Sequence, residues 1–156
     1  PFSDAIKLLS KESILIHKSN YMFFYLSPMY SLILILLMWM IYPFYVNNMM
    51  MNLGFLYLMC CFSLGVYGLL MTGWSSNSSY SMLGSLRALA QSISYEVSLS
   101  IIMIVPMFLI NNLDLSNLLI YQDLLSFGFY LWLLSMWFFI SIMAELNRTP
   151  FDFSEG

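Results

Sequence analysis

Between Ser19 and Leu86 the chain carries no charged side chain. A run of that length cannot form the outside of a water-soluble domain, where roughly a quarter of all residues are charged. Across all 156 residues, 61% are hydrophobic and 8% are charged, and the mean hydropathy is +0.81. A globular fold of this size could not hide so much apolar surface. A bilayer could, because its hydrocarbon core accepts about 20 apolar residues per helical crossing. The expected fold is all-α: a polytopic transmembrane helix bundle in a single membrane domain over 1–156.

Four spans fit the apolar runs, at about 25–43, 53–71, 88–110 and 124–144. Pro28 would sit near the first turn of the first span, where a missing N–H costs little. Pro106 would kink the third near its far end. Segment 43–52, with Asn47, Asn48 and Asn52, reads as the first turn, and 111–123 links the last two spans. Before the third span the chain reads GWSSNSSYSMLGSL, a Ser/Asn run suited to helix capping. The opening PFSDAIKLLSKE predicts a short amphipathic helix lying in the interface plane. Asp4, Lys7 and Lys11 share one face of it, and Phe2, Ala5, Ile6 and Leu9 the other.

The basic residues orient these spans. Lys7, Lys11 and Lys18 precede the first, Arg87 lies between the second and third, and Arg148 follows the fourth. The two remaining loops carry only Asp114 and Asp123. All five basic residues therefore fall on one side, which the positive-inside rule makes cytoplasmic, or matrix in a mitochondrion.

In so apolar a chain each acid needs a reason, since Asp within a span costs at least about 2.5–3.5 kcal/mol on insertion scales. Glu96 lies about 12 Å along the third span from Ala88. Ser92 and Ser100, at i−4 and i+4, extend it into a narrow polar stripe. It reads either as a proton-relay carboxyl facing a hydrated cavity or as a neutral Glu hydrogen-bonded to a neighbouring helix. Glu145 and Arg148 share a face at the end of the fourth span. Pro150 then ends the helix, and Asp152 and Glu155 follow. That cluster reads either as a solvated helix end or as a functional acidic loop.

Several classes of function find no support. There is no basic patch for nucleic acid. No Gly-rich phosphate loop, Cys/His metal cluster or Ser/His/Asp set appears. Cys60 and Cys61 read as buried small apolar residues, and His17 as an interfacial residue. The 14 methionines and the aromatic residues, Trp132 and Trp137 among them, are packing or lipid-facing by default. The chain predicts no catalytic residue and no metal ligand of its own.

Three segments carry a resemblance. PFSDAIKLLSKE, GWSSNSSYSMLGSLRALAQSISYEVSL and AELNRTPFDFSEG resemble, in order and spacing, hallmark segments of the membrane subunit 1 family of NADH–quinone oxidoreductase, respiratory complex I. The high Met and low charge resemble a mitochondrially encoded member. The chain starts at Pro1 and stops at Gly156 inside a motif, so it is expected to be an internal piece, holding the second to the fifth of the family's membrane helices. Leu146 stands where the family commonly has Thr, and SILIHKSN (13–20) is not diagnostic.

The resemblance implies a quinone-tunnel and proton-coupling subunit in the mitochondrial inner membrane, with both ends of this piece on the matrix side. It would be part of a proton-translocating NADH:ubiquinone reductase and would bind no cofactor itself. Ubiquinone would be the substrate at a shared site, while NADH, FMN and iron–sulfur clusters would belong to partner subunits. Its partners would be the quinone-site subunits of the peripheral arm, the neighbouring membrane subunits and the lipid. Residue by residue, Glu96, Glu145, Asp152 and Glu155 would belong to the proton pathway. Asp4, Lys7, Glu12, Arg87 and Arg148 would lie at the quinone cavity or its mouth. A competing reading is a membrane subunit of a related hydrogenase or antiporter-type complex, or an unrelated transporter. The RTPFD and SYEV segments and the lack of a repeated half with broken helices argue against it. A purely structural anchor leaves Glu96 unexplained.

Overall fold

In a computed structural model, residues 2–12, 14, 16–42, 51–122, 125–147 and 149–152 are described. Asn47, Asn48, Asp123, Arg148 and Glu155 lie outside the described residues, as do Pro43 and Leu124 at two expected span ends.

Among the described residues all regular structure is helical: α1 (Phe2–Ser10), α2 (Tyr21–Trp39), α3 (Gly54–Ser75), α4 (Ser79–Ile110), α5 (Leu115–Ile120), α6 (Phe127–Tyr130) and α7 (Trp132–Glu145). This is the all-α membrane bundle expected from composition. Three of the helices, α2, α3 and α4, are long and apolar enough to cross a bilayer. The fourth apolar run is divided between α6 and α7 at Leu131, which has φ −110° and ψ 48°. Hydrogen bonds still carry across the break, from Leu131 N to Phe127 O at 2.9 Å and from Ser135 N to Leu131 O at 2.9 Å.

The bundle is built by antiparallel neighbours in chain order. Between α2 and α3 the rungs descend in opposite directions. Asn20 N donates to Ser75 O at 2.8 Å, Tyr30 Oη to Leu64 O at 3.1 Å, and Tyr57 Oη to Leu37 O at 3.3 Å. Phe55 N donates to Leu113 O at 3.1 Å, which brings the start of α3 beside the segment after α4. Gly73 marks a close approach between α3 and α4. A Cβ there would collide with the Ser85 side chain and stand 3.2 Å from the Ser81 carbonyl oxygen. Small residues at such crossings let backbones close together where no hydrophobic force separates protein from lipid.

The helix ends share one solution. Asn77, Asn111 and Asn147, just past α3, α4 and α7, have φ of 52°, 55° and 48°. Asparagine tolerates this left-handed conformation, which turns the chain so that its N–H groups meet the last carbonyls. After α4 the pattern is complete: Asn111 N donates to Phe108 O at 3.3 Å and Asn112 N to Met107 O at 3.4 Å. At the start of α4, Ser81 N donates to Ser78 Oγ at 3.4 Å, so the serine run does cap this helix. The cap lies well before Arg87, so α4 begins in the polar segment rather than with the apolar run. Pro28 falls inside α2 rather than in a first turn, because the helix already starts at Tyr21. The carbonyl that Pro28 cannot bond, Phe24 O, accepts from Ser27 Oγ at 3.0 Å.

Gly73→Ala is expected to destabilise the α3–α4 contact by about 1–3 kcal/mol through overpacking. Gly65→Ala, in the same helix with nothing within 4 Å of the added carbon, is expected to be neutral or stabilising. Thermal unfolding of the two variants in detergent or in the assembled protein checks the contrast.

Candidate functional site

The polar chemistry gathers where the first half of α4 meets the end of α7. The Gln91 side chain, 7% exposed, crosses this interface. Its Nε2 donates to Ala144 O at 3.0 Å and to Phe151 O at 2.8 Å. One turn further along α4, the Tyr95 ring meets the Phe151 ring edge-on, with centroids 5.5 Å apart and planes at 66°. Ala144 is fully enclosed where Gln91 reaches it.

Glu96 follows Tyr95 on α4 and Glu145 ends α7. Each is partly buried, and both lie at the α4–α7 crossing, Glu96 five residues beyond Gln91 and Glu145 one beyond Ala144. The serines flanking Glu96 do not serve it as donors. Ser92 Oγ donates to Leu89 O at 3.0 Å and Ser100 Oγ to Val97 O at 2.7 Å, so each spends its single proton on its own helix. Three buried oxygens at this end, Gln91 Oε1, Glu145 Oε2 and Asn147 Oδ1, have no hydrogen-bond partner among the described residues. All three are acceptors, so this corner offers lone pairs to a donor or to water.

The other residues singled out from sequence are distributed as follows. Asp152 is partly buried beside Phe151. Arg87 is exposed, one turn before Gln91 on α4. Asp4 and Lys7 are exposed on α1, which has no buried residue, and Glu12 is exposed just after it. The structure thus brings together Glu96, Glu145 and the segment bearing Asp152, and it does not bring α1 into that cluster. His17 and Cys60 are exposed, Cys61 is buried and both cysteines are free. No group of His, Cys, Asp and Glu able to hold a metal ion occurs among the described residues. A cleft of about 550 Å³ opens at the opposite end of the bundle, between Leu53–Leu56 and Ile104–Leu113, away from these acids.

Reading the sequence for charge missed Gln91 and Tyr95. The available signal was a lone amide in an apolar helix, spaced i, i+4 from a tyrosine.

Fold and site together define an α-helical, polytopic membrane protein with two partly buried carboxyls at one helix crossing. The chain belongs to the NADH dehydrogenase family, whose family model matches residues 1–156. It is 50% identical over 156 residues to NADH-ubiquinone oxidoreductase chain 1 of Aedes aegypti. The proteins of the same name from Anopheles gambiae and Anopheles quadrimaculatus are each 49% identical over 156 residues. In each case all of this chain and 50% of the relative are covered, so the chain spans about half the length of the curated relatives it matches.

Asn147 sets the direction in which the chain leaves α7. Asn147→Gly is expected to be tolerated. Asn147→Val is expected to cost about 1–2 kcal/mol through its left-handed backbone, measured as a lower melting temperature.

Proposed function

We propose that this chain is the quinone-site and proton-coupling portion of a membrane subunit of NADH–ubiquinone oxidoreductase, in the mitochondrial inner membrane. The observation that carries the reading is the α4–α7 crossing, where Gln91 and Tyr95 hold the Phe151–Asp152 segment and where Glu96 and Glu145 both lie partly buried. Relatives covering the whole chain are named as chain 1 of that oxidoreductase, which favours this reading over a hydrogenase-type subunit or an unrelated transporter.

Reduction of a quinone to a quinol consumes two electrons and two protons, and electrons arriving first leave negative charge in the cavity. Carboxyls facing that cavity respond by taking up protons, and a second carboxyl within electrostatic reach changes its own occupancy in turn. Glu145, Asp152 and Glu155 would sense the quinone, and Glu96 would pass the change along the membrane. Asp4, Lys7, Glu12, Arg87 and Arg148 would line the cavity or its mouth, where cations favour a reduced headgroup. The electrons would come from NADH through FMN and iron–sulfur clusters held by partner subunits of the peripheral arm. The basic residues support a matrix location for both ends of this piece.

Glu96→Gln in the assembled enzyme is expected to lower quinone-coupled proton translocation about 100-fold, the low end of what a positioned proton-transfer group contributes. Transfer from NADH to a water-soluble acceptor should be unchanged. Undiminished pumping would sink the role given to Glu96. Glu145→Gln combined with Glu96→Gln is expected to cost clearly less than the two single effects added, because the groups act as one unit.

A further inference from the structure

We propose that Gln91 is a positioning residue that straps segment 149–152 to α4 and thereby sets the wall that the quinone headgroup meets. This deepens the quinone-cavity reading above and rests on it. Both amide protons of Gln91 are spent, one on Ala144 O at 3.0 Å and one on Phe151 O at 2.8 Å. Ala144 O also accepts from Asn147 N at 3.3 Å in the turn that closes α7. One planar group therefore ties the last turn of α7 to the chain beyond that turn. Tyr95 holds the same residue by its ring, with centroids 5.5 Å apart. Residue 151 is fixed to α4 by its backbone and by its side chain, and Asp152 follows directly.

The chemistry selects an amide. A carboxylate has no proton to give, a hydrocarbon takes the donor from Phe151 O and leaves Ala144 O only the 3.3 Å bond from Asn147 N, and a hydroxyl has one donor instead of two. Glu96 adjoins Tyr95 in the chain, so slack in the strap changes the distance between the Glu96 pair and the Asp152 segment. It leaves every carboxyl in place chemically. The expected signature is therefore weaker quinone binding rather than loss of electron entry.

The test uses the whole respiratory complex carrying Gln91→Met or Gln91→Glu. Hydrogen–deuterium exchange over 149–152 reads the strap. Steady-state kinetics with decylubiquinone read the cavity, and electron transfer from NADH to a water-soluble acceptor reads assembly. Gln91→Met is expected to speed exchange over 149–152 and to raise KM for decylubiquinone about tenfold, with a smaller change in kcat and unchanged transfer to the water-soluble acceptor. Gln91→Glu is expected to behave alike at neutral pH and to regain part of the lost affinity as pH falls, because a protonated carboxyl recovers one donor. Where Gln91→Met fails to assemble, Gln91→Asn, one methylene shorter, supplies the same comparison. Unchanged exchange over 149–152 in the variants overturns the strap. Faster exchange with unchanged KM overturns the proposal through the cavity reading on which it rests.

Discussion

Everything in this chain follows from the need to pair backbone polarity without water. In hydrocarbon an unpaired N–H or C=O costs several kcal/mol, so the chain satisfies its groups within helices wherever it can. Where a helix must stop, the same demand chooses the residue. Asparagine in the left-handed conformation ends α3, α4 and α7. Where proline removes a donor, a hydroxyl steps in, as Ser27 does for Phe24 O. Serines throughout α4 and α7 turn their protons back onto their own helix, from Ser92 to Ser141. Gln91, by contrast, reaches across to another element.

That exception organises the site. The α4–α7 crossing carries two partly buried carboxyls, and the return of the chain after Asn147 lays Phe151 against Tyr95. The buried oxygens left over at Gln91, Glu145 and Asn147 are all acceptors. A corner with surplus acceptors and two acids favours protons and cationic donors.

Much of this was legible in the sequence because it is local. Apolar runs, the serine cap before α4 and the isolated acid in SYEV depend on neighbours a few residues away. What failed to show depends on register between distant segments. The Gln91 bonds join residues 53 and 60 positions apart, and nothing local fixes which carbonyls an amide will meet. The apolar span from about residue 88 and the start of α4 at Ser79 differ for a related reason. Hydropathy marks where a span turns apolar, whereas the helix begins at its cap, in polar residues. The division between α6 and α7 at Leu131 has no proline or local signal in the sequence to announce it. For α1 the amphipathic pattern was plain, but its own packing in this chain does not extend to the α4–α7 corner.

The length of α4 has a consequence for depth. Its 32 residues make a rod of about 48 Å, against a hydrocarbon slab of about 30 Å. Lying wholly inside would require a tilt of about 50°, beyond the range of about 0–40° that membrane helices adopt. Part of the rod must therefore stand proud of the slab, and the serine-rich first turns up to Arg87 are the part suited to water. Glu96 then sits about 13 Å below that surface, in the nearer half of the membrane. A proton entering from the basic side needs to descend only that far to reach it.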